Sequence, residues 1–146
     1  IELGFINMPL YDEAITIKEC LQVQDIFVSK YKDTHIYTLQ ELAKESLILL
    51  ENSSNSRHYV DKHFASHGIL LSPTIELGSH NLLLEAAKNN IGKACVIQEF
   101  CQTELDKHNI HPIHLTHPLP KRSIGYAYLS RKTLTNATLK FIELLR

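Results

Sequence analysis

Apolar positions in this chain come in short runs, and their spacing alternates between a strand period and a helix period. Residues 1–6 (IELGFI) read as a strand ended by Asn7-Met8-Pro9. Residues 15–28 alternate imperfectly through Ile15, Ile17, Cys20, Val23, Ile26 and Val28, and Asp25 interrupts them. That pattern predicts two strand pieces with a crossover between them. Residues 46–50 (SLILL) and 94–97 (ACVI) are continuous apolar runs, the mark of buried strands. Shorter strands are expected at residues 74–77, after Pro73, and around Ile113 and Leu115. Residues 123–129 place Ile124, Tyr126 and Tyr128 on one face, and Gly125, Ala127 and Leu129 on the other.

Helix signals fall between these strands. Thr38-Leu39-Gln40-Glu41 is a capping box for a short helix over residues 39–44. Residues 57–67 predict a helix with Tyr59, Val60, Phe64 and His63 inward and Gly68 at its C-terminal end. Gly78-Ser79 introduces a helix over residues 80–90 with an apolar stripe of Leu82, Leu83, Ala86 and Ala87. A helical turn is expected over residues 100–105. Thr135 caps a final helix in which Leu134, Ala137, Phe141, Leu144 and Leu145 recur at helical spacing. Strands alternating with helices give an α/β class with a mostly parallel sheet. In such sheets ligands sit at the carboxyl ends of strands, where helices begin.

Two such places stand out. In "LLENSSNSRHY" a buried strand ends in a run of small polar residues that includes Ser53, Ser54, Asn55 and Ser56. In "ELGSHN" another strand ends at Gly78, Ser79 and His80. Helix N-termini present unpaired N–H groups and a partial positive charge, which suit anions and polar ligands. The same residue types are also preferred as helix caps. Both readings stand: a small-molecule site built from hydroxyls and amides, or caps at Asn55 or Ser56 and at Ser79.

The rest of the composition narrows the chemistry. A net charge of -1 gives no general basic field for nucleic acid or an anionic membrane. No apolar run approaches the length of a membrane span. Three cysteines at irregular spacing, Cys20, Cys95 and Cys101, are not a disulfide framework and fit reduced thiols in a cytoplasm. Phosphate-binding loops and the G-x-S-x-G elbow are absent, and no serine or cysteine has an evident base partner. No catalytic residue and no cofactor is expected.

Metal binding is also not expected. His108, His111, His114 and His117 repeat every three residues, but Pro112 and Pro118 exclude a continuous helix, and on an extended chain that spacing alternates faces. His63 and His67 stand at i and i+4 on a helix, with no third ligand evident.

The order of these signals resembles the effector-binding domain of LysR-type transcriptional regulators. "IELGFINMP" is similar to the family's strand, and residues 37–92 resemble its second lobe: an L-x-x-L helix, a buried strand, a polar loop and helix, an "F…G" helix end and a "P-x-I-E" strand. "LPKRSIGYAYLSRKTLTNATLKFIELL" resembles the closing strand and C-terminal helix. The chain departs from the family where Gly-x-Gly-Ile followed by Leu-Pro is usual. Here Asn90 takes the first glycine position, Lys93 the isoleucine position, and Ile97 or Gln98 stands near the proline position.

The resemblance implies a periplasmic-binding-protein-like fold of two lobes. Residues 1–24 are then part of the first lobe and a crossover, 25–118 the second lobe, and 119–146 the return crossover, closing strand and last helix. The first lobe is incomplete, as in the C-terminal part of a longer protein. By resemblance, Ser53 to Ser56 and Gly78 to His80 contact a small, often anionic effector. Homodimers or tetramers form along the helix at 57–67 and the strand at 74–77. DNA is read by a winged helix-turn-helix outside this chain. A solute-binding receptor of similar fold, or a small α/β enzyme using His80 or His58, are the alternatives.

Overall fold

Only Gln24 separates Val23 from Asp25, and there the chain passes from one compact unit to another. The first unit is Ile1–Val23 with the segment from Lys121 onward; the second is Gln24–Pro120. The computed structural model describes residues 1–145. Its elements in chain order are β1 (Gly4–Asn7), β2 (Ile15–Val23), β3 (Asp25–Ser29), β4 (Ile36–Tyr37), α1 (Leu39–Ala43), β5 (Leu47–Leu50), α2 (Asn55–Ala65), β6 (Ile75–Leu77), α3 (His80–Lys88) and β7 (Lys93–Ile97). A 3-10 turn (Gln98–Phe100) leads to α4 (Gln102–Asp106), β8 (His111–Pro112), β9 (His114–Leu115), β10 (Arg122–Leu129) and α5 (Asn136–Leu144).

The second unit is built on a five-stranded sheet of order β6-β5-β7-β3-β8. β5 runs parallel to β6 and β7, whereas β3 is antiparallel to both β7 and β8. Side chains alternate across the sheet and feed two cores. Phe27, Leu47 and Leu49 pack with Leu39, Leu42, Val60 and Phe64 of α1 and α2 on one face. Val28, Ile48, Ala94 and Val96 pack with Leu83 and Ala87 of α3 on the other. Burial on both faces is why these strands are apolar at nearly every position.

Local chemistry starts and stops the helices. The Thr38 hydroxyl accepts the Glu41 N–H at 3.1 Å and the Glu41 carboxylate accepts the Thr38 N–H at 2.8 Å, completing the capping box. α2 closes in a Schellman turn, with Ile69 N–H bonded to the Phe64 carbonyl and Gly68 N–H to that of Ala65, and Gly68 at φ 75°. α3 closes the same way through Asn90, at φ 56°, with Ile91 N–H on the Ala86 carbonyl. Asn90 therefore does the work of the expected family glycine, since asparagine tolerates the left-handed region better than most side chains. Gly92 has no substitute: a Cβ there meets the Ser46 carbonyl oxygen at 2.7 Å.

In the first unit β10 lies between β1 and β2, antiparallel to both. The register slips between Ile124 and Gly125, where Cys20 is the extra residue on β2. Tyr126 and Tyr128 stack at 6.4 Å, as expected of positions on one face. Phe141 of α5 meets Phe5 of β1 edge-on at 6.4 Å. The Glu2 carboxylate accepts the Thr135 N–H at 3.2 Å and the Thr135 and Thr138 hydroxyls at the start of α5. Those hydrogen bonds hold its pKa below the usual carboxylate value.

Three sequence expectations change. The sheets are mixed: parallel pairing is confined to β5 with its two neighbours and to the pair β4–β9, because strand direction follows the connections and not the local pattern. In α3 the buried stripe is Leu83, Ala86 and Ala87, while Leu82 is exposed. In α5 Ile142 is the buried residue, and Phe141 and Leu144 are exposed. Helical spacing identifies an apolar side but not how much of it a neighbouring layer covers.

Candidate functional site

Three parallel strands, β6, β5 and β7, end on one side of the second unit, and α2 and α3 begin there. A cavity of about 150 Å³ opens among these ends. Leu49 and Leu50 of β5, Val60 of α2, Val96 and Ile97 of β7 and Phe100 give it a mainly apolar wall. Four side chains bring polarity: Asp25, Ser56, Arg57 and His80.

His80, the first residue of α3, is fixed by β7. The backbone N–H of Ile97 donates to His80 Nε2 at 2.9 Å. Nε2 therefore carries the lone pair, and the ring is the neutral tautomer with its proton on Nδ1. Burial lowers the His80 pKa, and nearby Asp25 partly opposes the shift. The ring stands edge-on to Phe100 at 5.8 Å.

Arg57 is almost wholly buried, at 6% exposure. Its Nη1 donates to the Leu50 carbonyl at 2.8 Å and to Glu76 Oε1 at 3.2 Å, and its Nε donates to Asp61 Oδ1 at 2.9 Å. These carboxylates raise its pKa against the opposing effect of burial. Arg57 thus ties the end of β5 to α2 and β6. Its charge is compensated within the protein. Asp25, at 3% exposure, is the buried carboxylate of the site. The neighbouring strand ends are held by a backbone bond from Gln98 N–H to the Gln24 carbonyl at 2.9 Å, and by the Glu99 carboxylate, whose Oε2 accepts the Gln24 N–H at 3.0 Å.

The residues singled out from the sequence divide into three groups. Ser56 and His80 line the cavity. Ser54 and Ser79 cap α2 and α3, their hydroxyls accepting the N–H groups of Arg57 at 3.4 Å and Leu82 at 3.3 Å. Ser53, Asn55 and Gly78 are exposed at the strand-to-helix turns, and a Cβ at Gly78 meets Glu51 Oε1 at 3.3 Å. The cap of α2 is Ser54, one residue before Asn55 and two before Ser56, because the helix itself starts at Asn55.

Sequence reading missed Asp25, Arg57 and Phe100 as wall residues. A signal existed for Asp25, a charge inside an apolar run; Arg57 sits at a helical position indistinguishable from a solvated one until β5 and β6 are placed. Lys93, the cation at the family's isoleucine position, is engaged elsewhere: its Nζ bonds Glu45 at 2.7 Å and lies 5.8 Å from the Tyr37 ring centre. Cys95 and Cys101 belong to different cores on opposite faces of the sheet, so they are not a redox pair. Burial, with Glu99 nearby, pushes the Cys101 thiol up to about 11.

Comparison with known proteins gives a consistent answer. The family model described as the LysR substrate binding domain matches residues 1–146. The uncharacterized HTH-type transcriptional regulator YeiE of Escherichia coli K12 is 23% identical over 147 residues, covering 98% of this chain and 50% of that protein. The chain thus spans about half the length of the curated relatives it matches. Among solved structures, the Synechocystis PCC6803 CcmR regulatory domain in complex with 2-PG superposes with a TM-score of 0.84 at 20% identity, covering 99% of this chain and 71% of that one. The effector-binding domain of QuiR in complex with shikimate gives a TM-score of 0.79 at 16% identity, covering 99% and 69%. These likenesses establish the two-lobe, periplasmic-binding-protein-like α/β fold. With the match running through the whole sequence, the chain belongs to the LysR substrate-binding domain family.

Proposed function

We propose that this chain is the effector-sensing part of a LysR-type transcriptional regulator and is not an enzyme. The observation that carries the reading is the cavity at the carboxyl ends of β6, β5 and β7, with the first turns of α2 and α3 at its rim. Its polar groups suit holding a ligand and releasing it unchanged: a neutral imidazole, a serine hydroxyl, a buried carboxylate and a guanidinium already bound to two carboxylates and a carbonyl. The cavity is smaller than a usual whole-ligand pocket, so it takes one anchoring part of a small molecule. Ser53, Ser54, Asn55, Ser56, Gly78, Ser79 and His80 form the proposed contact set. The backbone N–H groups of the two helix starts favour an anionic or acceptor-rich effector. That CcmR and QuiR domains of this fold hold 2-PG and shikimate supports a small-molecule ligand.

In the same reading, the whole regulator is cytoplasmic, assembles as a dimer or tetramer, and contacts DNA through a winged helix-turn-helix outside this chain. Effector binding shifts the geometry of that assembly. Among the described residues, no helix is long and apolar enough to cross a membrane.

A thermal-shift screen of small carboxylates and phosphates tests the proposal, because a ligand stabilises the state it binds. Hits are then titrated by calorimetry against S56A and H80A. Affinity should fall at least roughly tenfold in each, the loss of one good polar contact. A hit that binds both variants as tightly as the original chain places the effector elsewhere.

A further inference from the structure

A guanidinium carries its N–H groups in a fixed fork, one on Nε and two on each Nη. In Arg57, Nε gives its hydrogen to Asp61, and Nη1 gives its pair to the Leu50 carbonyl and Glu76. The pair on Nη2 meets no acceptor among the described residues. No sealed side-chain nitrogen or oxygen among those residues lacks a hydrogen-bond partner. Nη2 is therefore an accessible atom of a side chain that is only 6% exposed, and Arg57 lines the cavity. A second wall residue is in the same state. His80 Nε2 takes the Ile97 N–H, and the proton left on Nδ1 has no hydrogen-bond acceptor among the described residues.

We propose, resting on the reading of this cavity as the effector site, that Arg57 and His80 together recognise an uncharged carbonyl on the effector, of the ketone, lactone or amide kind, carried on a compact apolar body.

The charge balance selects an uncharged acceptor. Arg57 already faces two carboxylates, Asp61 at 2.9 Å and Glu76 at 3.2 Å, so the fork offers donors without a positive charge left to neutralise. An anion brought to Nη2 would lose its water and gain no net cation in return. A carbonyl loses far less on leaving water and gains the same hydrogen bonds. His80 adds a neutral donor and no charge. An acidic group elsewhere on the effector stays at the rim, over the first turns of α2 and α3.

The walls select the apolar body. Leu49, Val60, Val96 and Ile97 surround the two donors, and the Phe100 ring stands edge-on to His80 at 5.8 Å. Phe100 is 54% exposed, an apolar ring left for a ligand to cover. All these residues belong to the second unit.

The test uses the original chain, labelled with nitrogen-15, and three probes that share one ring: cyclohexanone, cyclohexanecarboxylate and cyclohexylammonium. Two-dimensional NMR follows the guanidinium N–H signals of Arg57 and the backbone N–H of Ile97, which reports on His80. Cyclohexanone should shift both saturably, with a dissociation constant at least roughly tenfold below those of the two charged probes. R57K keeps the charge without the fork and should weaken cyclohexanone at least roughly tenfold. Thermal unfolding shows whether R57K is folded; where it is not, the Arg57 signals of the original chain decide. Tighter binding of cyclohexanecarboxylate or cyclohexylammonium through the same signals overturns the proposal and leaves the cavity as the effector site. The absence of a saturable cyclohexanone shift at Arg57 and Ile97 overturns it as well. The effector-site reading falls separately, if the hits of the carboxylate and phosphate screen bind S56A and H80A unchanged.

Discussion

Ile97 and His80 hold each other: the N–H of the last residue of β7 donates to Nε2 of the first residue of α3 at 2.9 Å. The contact couples a strand end to a helix start and fixes the imidazole tautomer. A protonated ring has no lone pair at Nε2, so acidification breaks the bond.

His80 should therefore make stability pH-dependent. Its folded pKa lies below the ordinary value of 6.5. Above 6.5 the ring is neutral in both states and contributes no slope. As pH falls below 6.5, the unfolded chain takes up the proton first, so stability declines until the folded pKa is reached and then levels. Thermal unfolding from pH 7.5 to 5 should show a steeper decline for the original chain than for H80Q. Identical slopes would refute the tautomer assignment.

Arg57 is the main buried cation of the site and has three acceptors. R57M should destabilise the chain by about 1–3 kcal/mol, since the Leu50 carbonyl loses a buried donor. R57K should recover little, because an ammonium cannot reproduce the guanidinium fork. Urea unfolding of both variants checks this; a K variant as stable as the original would show that charge alone matters.

At the end of α3 the two positions of the departed family motif should behave oppositely. N90G should be close to neutral, whereas N90A, which keeps a Cβ without the amide, should cost about 1–2 kcal/mol at φ 56°. G92A should cost about 1–3 kcal/mol by forcing the Ser46 carbonyl away. A neutral G92A, measured by thermal unfolding, would mean that the β5–β7 junction yields easily.

The thiols should react in order of access. Cys20 is half-buried at the β2 bulge, while Cys95 and Cys101 are buried and Cys101 is held protonated near neutral pH. A thiol reagent under native conditions should modify Cys20 first, followed by mass spectrometry of the peptides. Labelling of Cys101 at the rate of Cys20 would contradict its burial.

Much of the fold was legible because the signals were local. Thr38 and Glu41 announce a capping box, the break near Asp25 separates two strands, and Gly68 marks the end of α2; each depends on residues within a turn of one another. The family resemblance rested on the order of such signals. Sheet order and strand direction were not legible, because they depend on which distant segments meet. For the same reason Arg57 reads as a surface residue until Leu50 and Glu76 are placed beside it. Leu82 and Phe141 show the converse: apolar spacing was read correctly as a helix face, but coverage of that face is set by other elements.

The position of β10 between β1 and β2 has a consequence for biosynthesis. β1 and β2 both pair with β10, and that partner is missing until residues 122–129 have been made. At about 5–20 residues per second, they wait several seconds on the ribosome for that shared partner. The larger unit, drawn from consecutive residues 24–120, has no such wait. A chain stopped before β10 therefore carries a complete larger unit beside β1 and β2 without the strand that joins them, and it is those strands, with their edges toward β10 unpaired, that quality control would meet.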